Sequence, residues 1–149
     1  MKTTIFIIAL VAIGLAAFNL KNVDYTKNTL SGILFHQGTF NQALQLAKNE
    51  NKLVFIDIYA TWCGPCKSLK KTTFSDSIVG AYYNEHFINV ALDGEKGEGL
   101  ELAKKYAITG YPTLLFINAD GVVVSTNAGY RNAKEFIGLG KALQNKRKN

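Results

Sequence analysis

Apolar residues in this chain fall into two kinds of run. From Leu53 to Tyr59 they are almost unbroken, with Asp57 the one charged residue. A run apolar at odd and even positions alike predicts a strand covered on both faces. Phe87–Leu92 predicts a second strand of that kind. Thr113–Ile117 and Val122–Ser125 flank Asp120-Gly121 and predict an antiparallel hairpin. Ile33–His36 is a short candidate first strand.

Between these runs the helical period takes over. Phe40, Ala43, Leu44 and Ala47 share one face of a segment from Thr39 to Asn49, and Thr39 with Gln42 predicts a capping box. Cys63 to Lys71 predicts a helix opening directly after the first long strand. Ser75 is expected to cap a further helix with Ile78, Val79, Tyr82 and Tyr83 inward. Residues 93–99 predict a polar, turn-rich loop, and Leu100 to Tyr106 a helix. Asn132 and Glu135 predict a second capping box, opening a last helix over residues 133–145.

The ends of the chain differ from this middle. Lys2 precedes an uncharged run from Ile5 to Phe18, shorter than the roughly 20 residues of a membrane span, with Gly14, Ala16 and Ala17 offering small residues for cleavage. Residues 1–18 are therefore expected to be a signal peptide, or else an uncleaved membrane anchor. Residues 19–31, rich in Asn, Lys and Thr, predict a linker, and 32–149 a single domain. The net charge is +6, with Lys141, Lys146, Arg147 and Lys148 close to the C-terminus. Cations suit a helix C-terminus and solvate readily there, so this charge does not by itself call for an acidic partner or a membrane surface. No basic-aromatic pattern points to nucleic acid.

Both cysteines stand in one hexapeptide, Trp62-Cys63-Gly64-Pro65-Cys66-Lys67. A structural disulfide framework spreads its cysteines along the chain. A zinc site needs four N/S ligands, and His36 and His86 do not supply the missing two at a zinc-finger spacing. A c-type haem site needs His where Lys67 stands, and a purely structural bridge across so short a loop gains little chain entropy. The remaining chemistry is dithiol exchange: a thiol at a helix start is favoured as thiolate, and its partner one turn on is close enough to attack a mixed disulfide. No metal and no cofactor is expected.

The chain resembles the thioredoxin superfamily over about residues 33–145. The hexapeptide matches its active-site motif, and Asp57, six residues before Cys63, its buried acid. Gly110-Tyr111-Pro112-Thr113 matches the segment of its cis-proline, Asn118-Ala119-Asp120-Gly121 its late hairpin, and Gly129 the glycine of a final loop. Tyr59-Ala60-Thr61-Trp62-Cys63, Lys67 and Thr73-Phe74-Ser75-Asp76 give a closer likeness, to the C-terminal periplasmic domain of the bacterial transmembrane thiol:disulfide interchange protein. The resemblance implies an α/β thioredoxin fold, with a central mixed sheet of four to five strands flanked by helices on both faces.

It also implies roles. Cys63 is the expected nucleophile and Cys66 the resolving thiol, the less exposed of the two. Asp57 exchanges a proton with Cys66. Trp62, Gly64, Pro65, Tyr111, Pro112 and Gly129 form the substrate-binding surface, with a cis bond before Pro112. Lys67 is a candidate to hold thiolate on Cys63, while Lys70 and Lys71 are expected in solvent. The sequence departs from ordinary thioredoxin in two places: Tyr111 replaces an isoleucine, and Phe87–Leu92 lacks the lysine that accompanies the buried acid.

The expected function is exported, periplasmic reduction of partner disulfides. The expected partners are disulfide-containing exported proteins and a membrane thiol:disulfide electron donor, the chain itself being a monomer. The Gly-Pro dipeptide between the cysteines carries no imidazolium to stabilise thiolate, which favours a reducing pair. An oxidase or isomerase, and a non-redox binding or chaperone module on the same fold, are the competing expectations.

Overall fold

A computed structural model describes residues 32–148; the export segment and linker expected over residues 1–31 lie outside them. Among the described residues five helices and four strands follow in order: α1 (Phe40–Asn49), β1 (Leu53–Tyr59), α2 (Gly64–Ser68), α3 (Ser77–His86), β2 (Phe87–Asp93), α4 (Gly97–Lys105), β3 (Thr113–Ile117), β4 (Val123–Ala128) and α5 (Ala133–Lys148). One π-helical turn, Leu69–Thr73, continues α2. Among the described residues no helix is long and apolar enough to cross a membrane.

The strands form one sheet in the order β2-β1-β3-β4. β1 runs parallel to β2 and antiparallel to β3, and β3 pairs antiparallel with β4. Strand side chains alternate between faces, which divides β1 cleanly. Val54, Ile56 and Ile58 pack with Phe40, Ala43 and Ala47 of α1 and Leu102 of α4. Leu53 and Phe55 point the other way, into Leu69, Val79, Tyr83 and Phe136 of the α2–π, α3 and α5 side. Phe55 lies 5.2–5.9 Å from the rings of Phe74, Tyr83, Phe116 and Phe136. Burying one such side chain contributes about 2–3 kcal/mol.

Both predicted capping boxes form. Gln42 N–H donates to Thr39 Oγ1 at 3.2 Å and Thr39 N–H to Gln42 Oε1 at 2.8 Å. Asn132 and Glu135 make the same reciprocal pair at 3.2 and 3.0 Å.

Four expectations need correction. Ile33–His36 is not a strand: Leu34 N–H donates to the side chain of Asn84, and only His36 N–H, toward Asn89, bonds to the β2 backbone. Ser75 does not cap α3. Its hydroxyl donates to Lys71 O, and Asp76 accepts the Ile78 and Val79 N–H groups, both at 2.9 Å. Tyr83 stacks on Phe136 at 4.1 Å, so α3 turns Val79 and Tyr83 inward; Ile78, about 100° away on the helix, is 69% exposed, and Tyr82 is half-buried. The polar loop is shorter than expected, because α4 already begins at Gly97.

Candidate redox site

The chain turns just beyond the C-terminal end of β1, where Ala60 O accepts the Cys63 N–H at 3.1 Å. Cys63 is the N-cap of α2: its backbone is extended, and its Sγ accepts the Cys66 N–H at 3.1 Å. Pro65 lies in the first turn, where its missing N–H leaves nothing unpaired. Cys63 and Cys66 are joined as a disulfide with their Cα atoms 5.3 Å apart. Cys66 is not the less exposed residue of the two: Cys63 is 2% and Cys66 6% exposed, both packed with Ala60 against Tyr59 and Tyr111.

A second loop closes over the pair. The Tyr111–Pro112 bond is cis, and Pro112 is buried. Pro112 O accepts the N–H of Gly129 at 2.9 Å, which ties the loop after β4 to this position. Gly129 has φ +85°, a conformation that favours glycine, and open space where a Cβ would stand. Thr73 Oγ1 donates to Arg131 O at 2.6 Å, so the π turn and the Gly129 loop are tied together as well.

Trp62, Gly64 and Pro65 are exposed beside the sulfurs, Trp62 at 66%. The indole of Trp62 meets Tyr111 edge to face at 6.0 Å and donates to Glu95. Burial, then the negative charges of Glu95 and Asp93, pushes the Tyr111 phenol up. Tyr111 also presses on Gly94, where a Cβ would lie 2.5 Å from Cε1 and 2.8 Å from Oη. Glu95 and Gly94 were missed from the sequence. Their signal was the placement of a polar loop directly after a strand parallel to β1, at the same end of the sheet as the cysteines.

Asp57 falls on the face of β1 that carries Leu53 and Phe55, toward α2. Its cross-strand partners are Ala91 and Leu114. It is 6% exposed, and its Oδ1 has no hydrogen-bond partner. Burial pushes its carboxyl up to about 7. Asp57 and Cys66 line one cavity of about 390 Å³, which Lys67 and Lys70 also line. Lys70 is exposed, as expected, and lines this cavity as well. The structure thus packs Tyr111 against Cys63 and Cys66, sets Trp62 on Tyr111, bonds Gly129 to Pro112 beside Tyr111, and places Asp57 on the cavity that Cys66 lines. This arrangement can pass a disulfide bond between thiols with a carboxyl group at hand for the proton.

A family model for the thioredoxin-like domain matches residues 40–144. Among curated relatives, the thiol:disulfide interchange protein DsbD of Pseudoalteromonas atlantica is 31% identical over 107 residues, covering 70% of this chain and 18% of that protein. DsbD of Pasteurella multocida is 34% identical over 95 residues, 62% of this chain and 16% of that one. The chain thus spans under a fifth of these relatives' length. A solved protein of Bacteroides thetaiotaomicron, provisionally described as a disulphide-isomerase, is 50% identical with TM-score 0.65, over 74% of this chain and 94% of that one. The oxidised C-terminal domain of Neisseria meningitidis DsbD is 25% identical with TM-score 0.59, over 74% and 97%. With the sheet order, the disulfide at a helix start and the family match over most of the described residues, this chain belongs to the thioredoxin-like domain family.

Proposed function

We propose that this protein is an exported thiol:disulfide oxidoreductase that reduces disulfides in other exported proteins. It works in the periplasm, and a membrane thiol:disulfide donor re-reduces it. The observation that carries this reading is Asp57, buried and unpartnered on one cavity with Cys66, behind a Cys-Gly-Pro-Cys disulfide. Likeness to the DsbD C-terminal domain supports the compartment and the donor.

In the reduced pair, Cys63 Sγ is the thiolate, held by the Cys66 N–H. It attacks one sulfur of the partner's disulfide, forms a mixed disulfide, and releases the other sulfur as thiolate. Cys66 then gives its proton to the Asp57 carboxylate and attacks Cys63 Sγ. The Cys63–Cys66 bond forms, the bond to the partner breaks, and the partner leaves carrying both electrons. Exposed Trp62, Gly64 and Pro65 offer the partner an apolar platform. The Tyr111 backbone pairs with the partner chain, beside Pro112 and Gly129.

The isomerase reading has one observation in its favour, the description of the Bacteroides relative. The reduction potential separates the two. Equilibration of the pair in defined thiol buffers should give a strongly reducing value, and a markedly oxidising one would transfer the case to isomerisation or oxidation.

A further inference from the structure

The cavity behind the disulfide holds more than the proton acceptor. Cys66, Lys70 and Phe74 all line it, spaced four residues apart along α2 and the π turn. Residues at that spacing share a helix face, so the chain that buries Cys66 also brings Lys70 to the cavity. Lys67, one residue from Cys66 and about 100° round the helix, lines it too. The sheet brings no cation: β2 faces the cavity with Ala91. The segment before α1 faces it with Phe35, and β1 adds the phenol of Tyr59. No other carboxylate, imidazole or guanidinium lines it, and among the described residues Lys70 makes no ion pair within 4.0 Å. Asp57 meanwhile has an unpartnered Oδ1.

We propose that Lys70, exposed and lining this cavity, is a positioning residue for the resolving step: its positive charge favours the ionised Asp57 carboxylate that takes the Cys66 proton. This rests on the exchange mechanism above. Cys66 S–H loses its proton to Asp57, which becomes neutral. The cation lowers the cost of the ionised state that must exist beforehand. Lys70 forms no bond in the step.

The test uses the reduced full-length chain and the neutral chromogenic disulfide dithiodipyridine. Attack by Cys63 releases one thiopyridone, and resolution by Cys66 releases the second, so stopped-flow absorbance separates the steps. In Lys70→Gln the rising limb of the second phase should move to higher pH by about half a unit, the size expected of one charge acting across a partly solvated gap. Lys70→Glu should move it further, and Lys70→Arg should restore it. In an Asp57→Asn background Lys70→Gln should produce no shift.

Coincident profiles for the unmodified chain and Lys70→Gln would overturn the proposal. So would a shift that persists in Asp57→Asn, because the charge would then act on the sulfur directly. If the unmodified chain shows no second phase, the exchange mechanism fails and this inference falls with it.

Discussion

The indole N–H of Trp62 is shared between the two carboxylate oxygens of Glu95, at 3.0 and 3.1 Å. A side chain that is mostly in water is thereby held in one orientation beside Cys63, by a residue on a different strand's loop. Trp62 is the only tryptophan of the chain, so tryptophan fluorescence reports the surroundings of this ring alone. Glu95→Ala should lower the fluorescence anisotropy of Trp62 and change stability by less than about 1 kcal/mol, because the bond is exposed. Unchanged anisotropy would mean that Tyr111, not Glu95, orients the ring.

The approach of Tyr111 to Gly94 leaves no room for a Cβ. Gly94→Ala should cost about 1–3 kcal/mol, as overpacking does. Tyr111→Ala should remove most of that cost, since it deletes the clashing ring. Denaturant midpoints of the two single variants and the double variant test this. Additive effects would place the clash at Ile58, whose Cγ2 lies 2.9 Å from the same Cβ position.

Asp57 should make the folded protein less stable as pH rises. Its carboxyl titrates near 3.8 when unfolded and at about 7 when folded. Between those values the folded chain keeps a proton that the unfolded chain has lost, so stability falls with rising pH and levels off above the folded value. The loss is at most about 4 kcal/mol, since each pH unit between the two values is worth about 1.4 kcal/mol. Asp57→Asn should abolish the slope and be the more stable protein at neutral pH and above. Urea midpoints across the window check it, and a stability that rises with pH through this range, relative to Asp57→Asn, would refute the assignment.

Cys66→Ser should accumulate a mixed disulfide between Cys63 and its partner, visible on non-reducing gels and cleared by added thiol. Cys63→Ser should form none and lose all turnover. Asp57→Asn should keep the first attack while slowing resolution by roughly a hundredfold or more, within the usual range for loss of a positioned base. Equal slowing of both steps would show that Asp57 acts on the pair as a whole.

Much of this architecture was legible in the chain. β1 was bounded from its apolar run because a strand covered on both faces has no polar positions to blur its ends. α1 and α5 announced their starts through capping boxes, which are local and so written in neighbouring residues. The cysteine pair, Asp57 and Pro112 were recognisable because fixed spacings and a family resemblance carry them. Where the reading failed, a distant partner had decided. Ile33–His36 has strand composition, but the side chains of Asn84 and Asn89 take part of its backbone bonding. Ile78 has core composition, but the stacking of Tyr83 on Phe136 sets the rotation of α3 and leaves Ile78 outside.

The site divides the same way. Residue spacing alone made the Cys63–Cys66 bridge legible, since a disulfide between residues three apart depends only on local geometry at a helix start. What surrounds the sulfurs was settled by the packed fold. It set Glu95 on Trp62, Gly94 under Tyr111, and Lys70 on the cavity of Asp57. Those contacts join residues from separate strands and helices, whose proximity follows from sheet register and helix packing and is written in no local spacing.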